Sequence, residues 1–361
     1  MKKIAIIGAG IFGCCAALEL ARRGFEIVIF ERADNIFTGA STINHLRHHY
    51  GFHYPRSKET VSEINSSRKN FEAEFGDSVS EFFEDFYGVS RINTKTTPEN
   101  FVRFCDELNL PYEIAWPEEQ FMDRRNIGIC LKTPERVYDP DILKGLILQK
   151  MRGKNICLRL NHKVIGGQVA GSRKKLIFSC GNFESAEEFD IVVNATYSNF
   201  NSFNKWFGFP RKKLLYELVE LLELYIPNSP RIGLTIVDGA FSSVLPRGEK
   251  GTFTLGHVDA SLLKSVVSDD IDPVVMSNEN TASNKEEILR RGYLDYPFLK
   301  KAQILRSLFV TRVVKANVDD TDERPTEITD YGNGMYSIFG GKVITCVDTA
   351  KKLTEKILHN N

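Results

Sequence analysis

Residues 4–24 read IAIIGAGIFGCCAALELARRG: a short apolar run, three glycines in G-x-G-x-x-G order, then a helix-like stretch closed by Gly24. Ile4 to Ile7 have the unbroken apolar character of a parallel strand covered on both faces. In such a turn the first glycine permits the tight bend and the second lets a pyrophosphate approach the backbone. The third lets helix and strand pack closely. The helix amino end then offers N–H groups and a positive dipole to phosphate. Glu26 to Phe30 form a second apolar run, and Glu31, 18 residues after Gly13, is placed to accept hydrogen bonds from ribose hydroxyls. A signal peptide is the competing reading, because Lys2 and Lys3 precede the apolar run. Glu19, Arg22 and Arg23 interrupt any apolar h-region, and no small-residue cleavage site follows. The stretch reads as a dinucleotide cradle.

Composition narrows the classes. The 361 residues are enough for two domains or one large discontinuous one. Lys+Arg and Asp+Glu balance at 47 each, so no global field draws in nucleic acid or an anionic membrane. No apolar run reaches the ~18 to 20 residues of a spanning helix, so no integral membrane segment is expected. The 7 cysteines are scattered, odd in number and contain no C-x-x-C pair. That favours reduced thiols and a cytoplasmic setting over a disulfide frame, and no metal site is expected.

A nicotinamide enzyme would continue directly into further βαβ units. Residues 32–57 instead read RADNIFTGASTINHLRHHYGFHYPRS, rich in Gly, Ser, Thr, Asn and His. Here the chain resembles the D-amino-acid oxidase superfamily of FAD-dependent oxidoreductases. The likeness rests on G-x-G-x-x-G, on Glu31-Arg32, on the G-x-S segment Gly39-Ala40-Ser41, and on His49-Tyr50-Gly51-Phe52-His53-Tyr54. In that family the last stretch wraps the FAD pyrophosphate and runs beneath the flavin. TPERVYDPDILKGLILQKM (133–151) is similar to the family's strand, Asp-Pro and helix. FDIVVNATYSN (189–199) is similar to the strand that ends on Ala195-Thr196 beside the cofactor. GMYSIFGGKVITCVDTAKKLTEKI (334–357) resembles the last strand, glycine turn and helix of flavin-dependent glycerol-3-phosphate dehydrogenases in this superfamily.

The resemblance implies an α/β fold: a Rossmann-like, glutathione-reductase-type FAD-binding domain with an interleaved, mostly antiparallel β substrate domain. The FAD-binding pieces are expected at 1–88, 152–205 and 320–361, and the substrate domain at 89–151 and 206–319. KKLLYELVELLELYI (212–226) satisfies both helical and alternating templates, and the resemblance favours strand. Residues 268–287 read as a polar surface loop.

The implied cofactor is noncovalent FAD, held by Gly8, Gly10, Gly13, Glu31, Arg32, Ser41, His49, Ala195, Gly340, Gly341, Lys342 and Ile344. Reduced flavin gains negative charge near N1 and the C2 oxygen, so donors at Gly340-Gly341-Lys342 would assist it. Lys342 is therefore the leading catalytic candidate. A substrate hydroxyl needs a base, whereas a neutral amine can lose its hydride without one. The histidine of the glycerol-phosphate branch would fall near Leu234 or Thr235, neither of which is a base, which argues against glycerol 3-phosphate. His49, His53 and His257 are the replacements on offer. Arg312 matches a substrate-binding arginine of that branch and suits an anion; Arg324 and Tyr54 are further substrate-binding candidates. The expected activity is hydride removal from a carbon bearing an amine or hydroxyl in a small polar molecule, an amino acid, hydroxy acid or sugar derivative. Oxygen or a quinone would take the electrons. A nicotinamide-dependent Rossmann dehydrogenase or a non-catalytic dinucleotide-binding protein remains the alternative.

Overall fold

The computed structural model describes residues 1–270, 276, 277, 279, 281–316 and 326–360. The opening stretch forms strand β1 (Lys3–Ile7), helix α1 (Ile11–Arg22) and strand β2 (Glu26–Phe30). β1 pairs in parallel with β2 on one side and with Ile191–Asn194 on the other. Ile156–Arg159 extends the sheet beyond β2 in parallel. Met335–Phe339 lies parallel to Ile191–Asn194, and Glu327–Asp330 closes that edge antiparallel. The apolar runs are continuous because both faces are covered. Ile4 and Ile6 share a core with α1 and the C-terminal helix Cys346–His359. Ala5 and Ile7 pack instead against a three-stranded antiparallel sheet spanning 163–189. Each fully buried isoleucine adds ~1.5–3 kcal/mol to this half.

Asp139 caps the helix Pro140–Met151 by accepting from the Asp141 and Ile142 amides, with proline in the first turn as its fixed φ allows. Leu143, Ile147 and Met151 of this helix join the same core as α1. The strand Glu84–Ser90, by contrast, runs parallel to Ile232–Val237 within the large sheet. The expected division at 88 thus falls inside a strand of the large sheet, and 140–151 packs on the nucleotide side. No linker composition marks either point, since the partners that place these elements are distant in sequence.

Among the described residues the large sheet has nine strands and is mostly antiparallel. Leu214–Tyr225, the stretch of ambiguous periodicity, is one strand of 12 residues. Gln303–Lys315 runs along one edge of it, and Leu262–Ser268 and then Thr252–His257 along the other. Alternate residues therefore serve two faces. Leu222 and Leu224 pack outward, with Ile288 and Leu289 of the helix Lys285–Asp295. Val219 and Leu221 pack inward, with Leu308, Val310 and Ile43 of the segment that follows β2. This inner face meets the segment that follows β2, while Leu214, Tyr216 and Leu218 of the other face pack with Phe200 and Phe339 of the nucleotide half. The polar stretch 268–287 lies partly outside the described residues.

Candidate nucleotide and active site

The glycine turn is explained by its own backbone. Gly8 has φ +101°, and a Cβ there would lie 2.8 Å from the Ala195 carbonyl oxygen. A Cβ on Gly13 would lie 2.0 Å from the Gly8 carbonyl oxygen, so helix and strand close only over glycine. A Cβ on Gly10 would meet only Ser41 Oγ, at 3.3 Å. Sterics within the chain demand glycine at 8 and 13 and leave position 10 open toward the cavity. α1 begins at Gly10 with no side-chain cap, and the Ile11 amide donates to Ser41 Oγ at 3.0 Å. The buried Glu31 accepts from the Ala9 amide at 2.8 Å and the Ala33 amide at 3.0 Å. Its carboxylate is fixed at the end of β2, beside the turn.

From there a cavity of about 740 Å³ runs through the molecule. Glu31, Arg32 and His162–Ile165 form one end; Gly8, Gly10, Ser41 and Ala195 follow; Gly340, Gly341, Val343, Leu218 and Phe309–Thr311 form the other. A Cβ on Gly341 would meet nothing within 4 Å, so the backbone there is open to a flat ring. A cavity of this size lined by the glycine turn, Glu31 and the open Gly341 backbone would fit FAD, with the adenosine held toward Glu31 and the flavin toward Gly341. Gly13 and Ile344 serve packing, and neither lines the cavity; Lys342, His49, His53, Tyr54 and Arg312 also lie outside its lining. The wall from His162 to Ile165 carries no sequence motif, because its place follows from the three-stranded sheet.

Beside the flavin end, the structure brings together Lys342, Tyr54, His49 and His53. The buried Lys342 ammonium lies 4.0 Å from the Tyr54 ring centroid, and the His49 and His53 rings each lie 5.4 Å from that ring. Burial holds His49 well below the usual histidine range, and Arg47, His53 and Lys342 push it the same way. It is a neutral imidazole at physiological pH.

Two candidates sit elsewhere. His257 belongs to Thr252–His257, but strand alternation turns it outward with Leu255. Its Nδ1 accepts from the Asp259 and Ala260 amides, so it closes a turn away from the cavity. Arg312 lies on the inner face, yet its Nε donates to Glu217 Oε2 at 2.7 Å across the strand pair. Arg324 lies outside the described residues.

Sequence reasoning missed two groups. The buried Arg47 donates to Tyr87 Oη at 2.9 Å, Glu135 Oε1 at 3.2 Å and Thr235 Oγ1 at 2.6 Å. Glu135 Oε2 accepts from the Tyr50 amide at 2.8 Å. This network ties the 47–50 segment to the inner face. The second group is His45, whose Nδ1 lies 3.2 Å from Thr254 Oγ1. Burial, then Arg47, Arg312 and Arg247, lower its pKa to about 3. A Cβ on Gly256 would lie 3.0 Å from His45 Nε2, so that glycine makes room for the ring.

Asp85, next to the network, titrates abnormally. One oxygen accepts from Thr133 Oγ1 at 2.7 Å and the other has no hydrogen-bond partner among the described residues. Burial, reinforced by Glu135, pushes the carboxyl up to about 7. The folded protein then holds this proton more tightly than the unfolded chain, whose aspartates titrate near ~3.9. Asp85 therefore favours folding at low pH, and this contribution is lost as pH rises from ~4 through ~7. Asp85→Asn should flatten the fall in stability over that window by up to a few kcal/mol, measured by urea unfolding at several pH values. Parallel curves for wild type and variant would refute the assignment.

A profile of the DAO family, described as FAD dependent oxidoreductase, matches residues 3–288. The chain belongs to this family of FAD-dependent oxidoreductases. The nicotinamide and non-catalytic alternatives are thereby set aside. The chain is 24% identical over 351 residues to the FAD-dependent monooxygenase FPY4 of Fusarium mangiferae, covering 95% of this chain and 87% of that protein. Its fold is similar to glycine oxidase from Geobacillus kaustophilus, with a TM-score of 0.77 at 14% identity over 100% of this chain and 96% of that one. It is also similar to NikD, an unusual amino acid oxidase essential for nikkomycin biosynthesis, with a TM-score of 0.79 at 12% identity over 100% and 95% of the two chains. Among the described residues no helix is long and apolar enough to cross a membrane.

Proposed function

We propose that this FAD-dependent oxidoreductase removes a hydride from a carbon bearing a hydroxyl or an amine in a small polar molecule. The observation that carries the reading is that Gly340, Gly341 and Val343 line the same cavity as Val310 and Thr311 of the large sheet. A flavin laid on the glycine turn would have one face toward that sheet, leaving a narrow, walled space for substrate. FAD, when bound, supplies the two-electron acceptor. Lys342 and the amides after Gly341 would favour negative charge at the pyrimidine edge. His49 and His45 are neutral imidazoles able to accept a hydroxyl proton, and His53 and Tyr54 lie beside His49, behind the residues that line the cavity. Arg312 would hold substrate through the guanidinium nitrogens not committed to Glu217. No cysteine lines the cavity among the described residues, which supports noncovalent FAD. The seven thiols, none in a disulfide, support a reducing compartment such as the cytoplasm. Oxygen or a quinone would reoxidise the flavin.

The test is anaerobic mixing of the FAD-loaded protein with amino acids, hydroxy acids, amines and polyols while the yellow flavin band is followed. Bleaching by a member of the panel, reversed by oxygen or a quinone, is the expected result. A colourless protein that takes up no added FAD would overturn the reading.

A further inference from the structure

The inner face of the large sheet carries an ion pair next to the strand residues that line the cavity, two positions along from Val310. Arg312 stands opposite Glu217, and Val310, two residues earlier, lines the cavity and stands opposite Val219. The Arg312 Nε to Glu217 Oε2 distance is 2.7 Å, and the Glu217 side chain is only 11% exposed against 41% for Arg312. An arginine that anchors a substrate carboxylate offers an uncompensated positive charge to a bidentate partner. Here that charge is already met by a largely buried carboxylate belonging to the protein. A substrate carboxylate on the same guanidinium would add a second negative charge beside Glu217 in a half-buried setting, where like charges are poorly screened.

The same holds one element away. Arg47, which reaches this face from the 47–50 segment, is buried against Glu135, Tyr87 and Thr235, and Arg247 lies 3.5 Å from the Glu223 carboxylate. Lys342 packs over Tyr54 and shares its field with Glu63. An intact Glu–Arg pair still has something to offer. The guanidinium Nη groups donate and the second Glu217 oxygen accepts, and a hydroxyl group uses both. Thr254 and the His45 ring, 3.2 Å apart, add neutral polar groups on the same side of the sheet.

We propose that the Glu217–Arg312 pair makes this site select an uncharged, hydroxyl-bearing substrate and turn carboxylates away; the proposal rests on the flavin reading above. Glu217 is then the specificity-determining residue, and the substrate class is a neutral polyol or sugar rather than an amino acid or hydroxy acid.

The experiment uses the FAD-loaded protein, with acetate as the minimal carboxylate and the visible flavin spectrum as readout. Flavin content is recorded first, so a protein that neither carries nor takes up FAD fails the functional reading before any titration, and the proposal falls with it. Wild type should show weak or no acetate binding, and Glu217→Gln, which keeps an acceptor for Arg312 but removes the charge, should bind acetate at least ~10-fold more tightly. Arg312→Met should leave the weak wild-type response unchanged, and this second variant decides the matter if Glu217→Gln does not fold. Acetate binding as tight in wild type as in Glu217→Gln would overturn the proposal. So would a Glu217→Gln variant that gains nothing, or wild-type acetate binding that disappears in Arg312→Met.

Discussion

Gly10→Val should yield a folded protein that purifies without FAD, whereas Gly13→Ala should weaken the fold itself. The two glycines differ in what surrounds them. A Cβ on Gly10 would meet only Ser41 Oγ at 3.3 Å, and it would point into the cavity midway between the Glu31 end and the Gly341 end. A branched side chain there costs the chain little and occupies the space a pyrophosphate requires. A Cβ on Gly13 would sit 2.0 Å from the Gly8 carbonyl oxygen, so β1 and α1 must separate to admit it. Overpacking of that kind costs ~1–3 kcal/mol or more, and it strikes the turn on which the whole parallel sheet is assembled. The flavin-to-protein ratio and the urea midpoint, measured on both variants, separate the two effects. Full flavin in Gly10→Val, or a wild-type midpoint in Gly13→Ala, would show the cradle to be misassigned.

Arg47→Met should cost ~3–5 kcal/mol of stability, because it removes the cation from a buried network and leaves the buried Glu135 carboxyl without its ion-pair partner. Arg47 and Glu135 are both almost completely buried, and their partners come from four separate segments of the chain. A buried ion pair is a poor source of net stability while intact, since desolvation offsets much of the attraction; breaking one side exposes that cost. Arg47→Met combined with Glu135→Gln should therefore be more stable than Arg47→Met alone, a coupling that a double-mutant cycle in urea reads directly. If Arg47→Met unfolds at the wild-type midpoint, or the double variant recovers nothing, the network is not what joins the 47–50 segment to the sheet.

What the sequence determined by itself was local. Glycine at 8 and 13 is required by atoms a few residues away or on the neighbouring strand, and the apolar runs of β1 and β2 announce a sheet covered on both faces. Asp139-Pro140 likewise signals its helix start through a cap made within three residues. The fold family and its cofactor follow from such short-range features, which any reader of the chain can inspect. The chemistry at the flavin end was decided elsewhere. A strand's period of two means that register alone sends His257 to the outer face and Arg312 to the inner one. Glu217 carries no motif, and it becomes the partner of Arg312 only because residues 214–225 and 303–315 pair along their length. His45 needs Gly256 and Thr254 from another strand, and Arg47 meets Tyr87, Glu135 and Thr235 from 40 to 188 positions away. Contacts at such separations leave no periodic trace in the chain, because each exists only once the sheet has brought its strands together.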